Sequence, residues 1–337
     1  MMDITAWSAI SPYGTGASHF AAGIRERRPA MTWADPAGPS RAGARLVPAF
    51  DQRDVLGKKG TKGMDRATGL AVAAVGSLAQ ARYEPDAALV LGTTAGSVAS
   101  SMTFTRASLT GVRPFDVDPA TIPSTVMNCA AGQCAIWHGI TGPNTTIASG
   151  RGAGLLGLAY SRRLLRAGRA RTVLCGAAEE YSPARSWLAS ASSSPAEPPV
   201  LGEGAAVLRL EAEGAAGALA TVLALDSQLT PDSRFYGAPL VAGRALQQAG
   251  IAPAQVWAVI SGTRQERDAV AGMFGREVLD RMPPVGELIG DTGAVSAVFQ
   301  LAAALVVAAG QPGARYVLVV SADPAGTTGA AVLRVPA

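Results

Sequence analysis

Two histidines, three cysteines and 16% charged residues are few for a chain of 337 residues. With His19 and His138 the only imidazoles, a site built on several histidines is excluded. Cys129, Cys134 and Cys175 are odd in number, lack metal-ligand spacing and lie among apolar residues, which argues against a disulfide framework and a zinc site. They read as reduced core thiols of a cytoplasmic protein. The formal net charge of +4 is carried by scattered arginines, and Lys58, Lys59 and Lys62 form the one compact basic cluster, so no nucleic-acid surface is expected. The opening MMDITAWSAI has no basic leader and carries Asp3 early, so no signal peptide is expected. The most apolar run, Gly293 to Gly310, is broken by Ser296 and Gln300 and rich in Ala; it reads as a helix buried in protein, not as a membrane span.

What is abundant is small and apolar. At 48% hydrophobic, the chain can bury one large core or two fused smaller ones. Its 39 glycines and 22 prolines are spread along the sequence, which implies many sharp corners. One stretch organises the rest. Gly142-Pro143 turns into a β-branched strand, Asn144 to Ala148, then a glycine-rich corner, Ser149 to Gly154. A helix pattern with Leu155, Leu158, Leu164 and Leu165 follows, and then a strand from Arg171 to Cys175. A residue on such a corner faces a helix N-terminus, where unpaired N–H groups favour negative charge. Arg151 stands there instead, at a cost of a few tenths to about 1 kcal/mol unless something compensates.

Alternating strands and helices place the chain in the α/β class. Strands are expected at residues 3–10, 88–91, 201–211 after a turn, 218–226, 256–261 and 316–321. Helices are expected at 17–27, 65–80 (Leu70, Ala73, Ala74 and Leu78 inward), 98–109, 126–140, 239–249 and 266–274. Residues 28–60 and 110–124 read as loop, and 181–199 as a Ser/Pro/Ala-rich excursion. The organising pattern then returns at residues 288–307, a glycine corner opening a helix, and Leu91-Gly92-Thr93 is echoed by Ser261-Gly262-Thr263. The repetition implies a duplicated half-fold, with halves at 1–215 and 216–337.

Taken in order, Met64-Asp65-Arg66, Gly92-Thr93, Asn128 with Ala131-Gly132, Gly142-Pro143, the first corner, Leu201-Gly202-Glu203-Gly204-Ala205, Gly262-Thr263, the Gly290 corner and Gly326-Thr327 resemble the β-ketoacyl synthase family over nearly the whole chain. That resemblance implies a duplicated thiolase-like fold, a five-layered αβαβα sandwich, and a dimer. It also exposes departures. Where the family's condensing enzymes carry a nucleophilic cysteine, this chain has Ser149; where they carry two histidines, it has Ser261 and Asp291. Gly286 stands for the lysine, and Asp323-Pro324-Ala325-Gly326 for the Gly-Phe-Gly-Gly loop. Fold kept and chemistry deleted resembles the chain-length factor of type II polyketide synthases, which pairs with an active ketosynthase served by an acyl carrier protein and closes its acyl tunnel. The short length and Ala/Gly/Arg-rich composition are compatible with a bacterial, polyene-forming system.

Ser149 has no adjacent base in sequence and is a poor nucleophile. Arg151 has two readings: it binds a carboxylate or phosphate, or it pairs with a carboxylate such as Asp291 and plugs a dead site. Ser149, Ser261 and Asp291 are expected to converge, with Asp291 contacting Arg151 directly or through Ser149. His138 reads as a core or interface residue. Met102, Phe104 and Leu109 correspond by position to a partner-facing, tunnel-lining helix, with ordinary core packing as the alternative. The glycines flanking Glu203 read as a turn, and Glu179, Glu180 and Asp226 show no paired-carboxylate spacing. No cofactor is implied. A divergent acyltransferase working through Ser149, Ser261 or Asp291 is the competing function.

Overall fold

The computed structural model describes residues 1–34, 43–78, 86–192, 199–230, 237–313 and 315–336. Nine strands follow one another through the main sheet, Gly14–Thr15 adds a short pairing to the first of them, and Ala44–Arg45 pairs with Leu201–Gly202 in a separate two-stranded sheet. The nine are β1 (Met2–Ser11), β2 (Ala88–Thr93), β3 (Asn144–Ala148), β4 (Thr172–Glu179), β5 (Gly204–Ala212), β6 (Ala220–Leu229), β7 (Ala258–Ser261), β8 (Tyr316–Ala322) and β9 (Thr327–Arg334). Their order is β7-β8-β9-β6-β1-β5-β4-β2-β3. The helices used below are α1 (Ala17–Glu26), α2 (Arg66–Ser77), α3 (Val98–Thr110), α4 (Cys129–His138), α5 (Ala153–Arg166), α6 (Pro183–Ser192), α7 (Ala238–Ala249), α8 (Arg264–Val270) and α9 (Ser296–Ala308).

The sheet order carries the duplication. β2 and β4 are parallel, β4 and β5 antiparallel; β7 and β8 are parallel, β8 and β9 antiparallel. β1 flanks β5 as β6 flanks β9, and the two sets join where Met2–Ile4 pairs antiparallel with Ala220–Val222. β2, which ends in Gly92-Thr93, therefore matches β7, which leads into Gly262-Thr263. The edge strand β3 has no counterpart among the described residues.

The helices complete five layers. α5 and α9 pack against each other and against strands of both sets, so they lie between the two half-sheets. α2 and α4 cover the outer face of one half and α7 and α8 that of the other. Three apolar clusters follow from this. The central one runs through α1, α5 and α9, and its outer companions lie under α2/α4 and under α7. The central layer explains the apolar run at 293–310: every residue of α9 except Val307 is buried, and Phe299 stacks on Phe20 of α1 at 5.1 Å between centroids. A helix apolar all round belongs in such a layer. No described helix is long and apolar enough to cross a membrane.

The αβαβα sandwich expected of a thiolase-like fold is thus present, with local corrections. Leu70, Ala73 and Ala74 are buried in α2 and Leu78 packs beside them, while Ala79 and Gln80 at the expected helix end lie outside the described residues. The helix expected from Val126 begins only at Cys129, because a 3₁₀ turn at Pro119–Thr125 precedes it and Val126 and Met127 stay exposed. The Ser/Pro/Ala-rich excursion contains α6, and its residues 193–198 lie outside the described residues. A short helix, Gln52–Leu56, interrupts the loop expected at 28–60, of which residues 35–42 are likewise outside the description. α8 starts two residues earlier than expected because Thr263 caps it, accepting from Glu266 N–H while the Glu266 carboxylate accepts from Thr263 N–H.

Candidate functional site

The site is built where the two glycine corners meet. After β3, Gly150–Gly152 form a 3₁₀ turn into α5; after a second corner, Gly293–Val295 form a 3₁₀ turn into α9. Gly150 at φ +47° and Gly293 at φ +53° adopt the left-handed backbone that glycine tolerates best. The two turns touch, which brings the N-termini of the central helices together.

Across that junction Arg151 forks onto Asp291. Its Nη2 lies 2.7 Å from Oδ2 and its Nε 3.3 Å from Oδ1, with the side chains 14% and 21% exposed. The contact is the direct one. Gly293 N–H donates to Asp291 Oδ1 at 3.0 Å, and Arg185 Nη2 and Gly202 N–H each donate to the Asp291 carbonyl at 2.8 Å. Burial alone would raise the Asp291 pKa, but the Arg151 guanidinium, helped by Arg185 and the Gly293 N–H, holds the carboxyl well below the ordinary range. Burial would likewise lower Arg151, and Asp291 outweighs it and drives the pKa up.

The two serines do not join this pair. Ser149 Oγ lies 3.4 Å from Thr327 Oγ1, and Ser261 is 2% exposed at the end of β7. Among the described residues neither hydrogen-bonds to Asp291, whose carboxylate takes the direct contact with Arg151 and not one through Ser149. Arg151 and Asp291 line a cavity of about 670 Å³ with Arg45, Arg264, Glu287 and Gly286. Gly286 leaves no room for a side chain, since a Cβ there would come 2.5 Å from the Gly262 carbonyl oxygen.

Three carboxylates that sequence reasoning did not assign to the site hold it in shape. Glu266 is fully buried beneath the cavity wall. It accepts the N–H groups of Gly262 (2.5 Å), Thr263 (3.1 Å) and Ala322 (2.8 Å), and burial still pushes its pKa up to about 7. Its signal was available as the Thr-x-x-Glu capping box at Thr263. Glu179 accepts from Ala294 N–H at 3.1 Å and from the Thr94 hydroxyl. Asp323 accepts from Arg151 N–H at 2.8 Å. Neither of the last two has a local sequence signal for its partner, because each reaches across from the other half.

Elsewhere the assignments resolve plainly. His138 Nε2 lies 2.9 Å from the Val72 carbonyl oxygen, at the contact of α4 with α2, and burial lowers its pKa. All three cysteines are free; Cys134 and Cys175 are buried and Cys129 half-buried. Glu203, between its glycines, is fully buried and forks onto Arg66 at 2.6 and 2.8 Å. No group of three or more metal-ligating side chains occurs among the described residues. On α3 only Val98 is buried; Met102 is 48% and Leu109 79% exposed, which removes core packing as their role, while Phe104 is half-buried.

The comparisons with known proteins agree with this architecture. The structure is similar to that of the ishigamide ketosynthase/chain length factor, at 38% identity and TM-score 0.93, covering 100% of this chain and 99% of that one. It also superposes on a beta-ketoacyl synthase from Burkholderia phymatum STM815 with TM-score 0.80 and 19% identity, over 100% of this chain and 99% of the other, which is a likeness of fold. In sequence, 3-oxoacyl-[acyl-carrier-protein] synthase 2 of Vibrio harveyi is 30% identical over 145 residues, 41% of this chain and 35% of that protein. The chain thus spans about a third of the length of that relative. Residues 3–216 match the family model of the beta-ketoacyl synthase N-terminal domain, and the chain belongs to that family.

Proposed function

We propose that this chain is a non-catalytic, ketosynthase-like subunit of the chain-length-factor type. It pairs with an active ketosynthase, receives no acyl group itself, and shapes the tunnel into which its partner extends a polyketide chain delivered by an acyl carrier protein. We place it in the cytoplasm, with its two halves meeting near residues 215 and 216.

The observation that carries this reading is the commitment of the corner. Arg151 and Asp291 neutralise each other, Ser149 leans on Thr327, and the only two histidines bond elsewhere, to the carbonyls of Thr15 and Val72. A serine with no base in reach is a weak nucleophile. The surface supports the pairing. β3 hydrogen-bonds to β2 alone among the described strands, leaving one strand edge open, and Met102, Ile122, Val126, Met127 and Ile136 are exposed on the elements before it. An open edge with apolar neighbours is a surface that proteins cover.

The test is co-expression with candidate ketosynthases that keep the cysteine and both histidines. The expected result is a stable heterodimer that extends acyl chains, while this chain alone takes up no acyl group from acyl carrier protein and releases no CO₂ from its malonyl form. An acyl adduct on Ser149 or Ser261, read by intact mass, would instead favour a divergent acyltransferase.

A further inference from the structure

The two glycine corners are closed by carboxylates delivered reciprocally. The turns Gly150–Gly152 and Gly293–Val295 pair off residue for residue, as do the helix starts Ala153 and Ser296. Glu179, the last residue of β4, reaches over Gly293 and takes the N–H of Ala294. Asp323, one residue past β8, reaches over Gly150 and takes the N–H of Arg151. In each case the carboxylate fills the space a Cβ on the corner glycine would need.

The two carboxylates differ in their surroundings. Glu179 is 1% exposed, held by the Thr94 hydroxyl and within 3.9 Å of Arg185 Nε. Asp323 is half-buried at the base of the exposed turn between β8 and β9. Among the described residues its second oxygen accepts only from Ala325 N–H of that same turn, at 2.8 Å. The buried carboxylate fixes a structural corner, whereas the surface one lies over the corner that carries Ser149. A helix N-terminus there would favour an oxygen acquiring negative charge, and a negative group already occupies it.

We propose that Asp323 is an internal anion that shuts the Ser149 corner, so that the corner stays closed even when a competent nucleophile is supplied. The proposal rests on the non-catalytic reading and adds a second, separable barrier to it. The charged groups around the two touching corners are Arg151, Asp291, Asp323, Arg185, Glu179 and, beneath, Glu266. Arg151 is already neutralised by Asp291 and Arg185 lies against Glu179, so the Asp323 charge is left to set the local sign at the Ser149 corner.

The experiment supplies the nucleophile and measures it. In the full chain carrying Ser149→Cys, co-purified with a partner where one is found, the pH dependence of iodoacetamide labelling at position 149 is followed by peptide mass spectrometry. Half-buried Cys129 serves as the internal reference. With Asp323 in place, the new thiol should titrate above the ordinary thiol value of about 8.5 and label slowly. Adding Asp323→Asn, which keeps the shape and removes the charge, should lower that midpoint by about one unit and raise labelling at neutral pH about tenfold. Adding Asp323→Ala should do at least as much, with urea unfolding as the check that the turn survives. A thiol at 149 that titrates low with Asp323 present, or a midpoint that Asp323→Asn leaves unmoved, would overturn the proposal. Those outcomes leave the non-catalytic reading standing. An acyl adduct on Ser149 of the unaltered chain would overturn that reading whatever the thiol does.

Discussion

Deleting the Asp291 carboxylate should cost far more than deleting it together with the charge it neutralises. In Asp291→Ala, Arg151 keeps a guanidinium that is 14% exposed and loses two charge-assisted hydrogen bonds, at 2.7 and 3.3 Å. Removing one member of a buried pair typically costs 3 to 5 kcal/mol. The residual exposure, and the attraction of Arg151 to Glu266 and Asp323, place this case at the low end, at about 3 kcal/mol. Replacing both residues, as in Asp291→Ala with Arg151→Met, removes the stranded charge and should return to within about 1 kcal/mol of the parent. The assay is urea unfolding of the four proteins of the cycle, compared at equal m-values.

Acid supplies a second reading of the same pair. The folded pKa of Asp291 is depressed, so its stabilisation is present above the unfolded value of about 3.9 and fades as pH falls towards the folded value. The gap between parent and Asp291→Ala should therefore be flat above about pH 5 and shrink below about pH 4. Effects that add across the cycle, or a gap that persists undiminished into acid, would refute the ion-pair account.

Gly286→Lys, at the position where the resemblance expects a lysine, should destabilise the chain by more than 2 kcal/mol, on the order of a backbone clash in a packed site, because a Cβ has nowhere to go beside the Gly262 carbonyl; unchanged unfolding would refute this. Glu179→Ala should cost about 2 to 3 kcal/mol by stranding the Ala294 N–H and the Thr94 hydroxyl, measured by the same unfolding assay. Ile136→Glu, at a side chain 78% exposed, should leave stability within about 0.5 kcal/mol yet abolish co-purification with a ketosynthase; retained pairing would move the partner surface elsewhere.

What could be read from the residues depended on how far apart the interacting parts lie. The strand–corner–helix unit at Asn144–Arg166 and the all-apolar α9 were legible because their signals are local: β-branched runs, glycine corners and helical spacing. The Arg151–Asp291 pair was legible for a different reason, since a cation at a helix N-terminus is a local anomaly that asks for a partner. Asp323 and Glu179 gave no such hint, because each is an ordinary carboxylate until the topology lays it over a corner in the other half. α6 was hidden by a Ser/Pro/Ala composition that reads as loop. β9 was not marked as a strand beyond its Gly326-Thr327 start, although it pairs with both β8 and β6.

That β3 has no counterpart among the described residues bears on how these chains can assemble. At one end of the sheet β7 is buried along its whole length, while β3 at the other end is only partly covered. Two molecules that met edge to edge through β3 would each use the exposed end of the main sheet as described, leaving the buried β7 at its other end. Among the described strands of the main sheet, addition through β3 therefore consumes the exposed end, and pairing by that edge is expected to give particles of two chains.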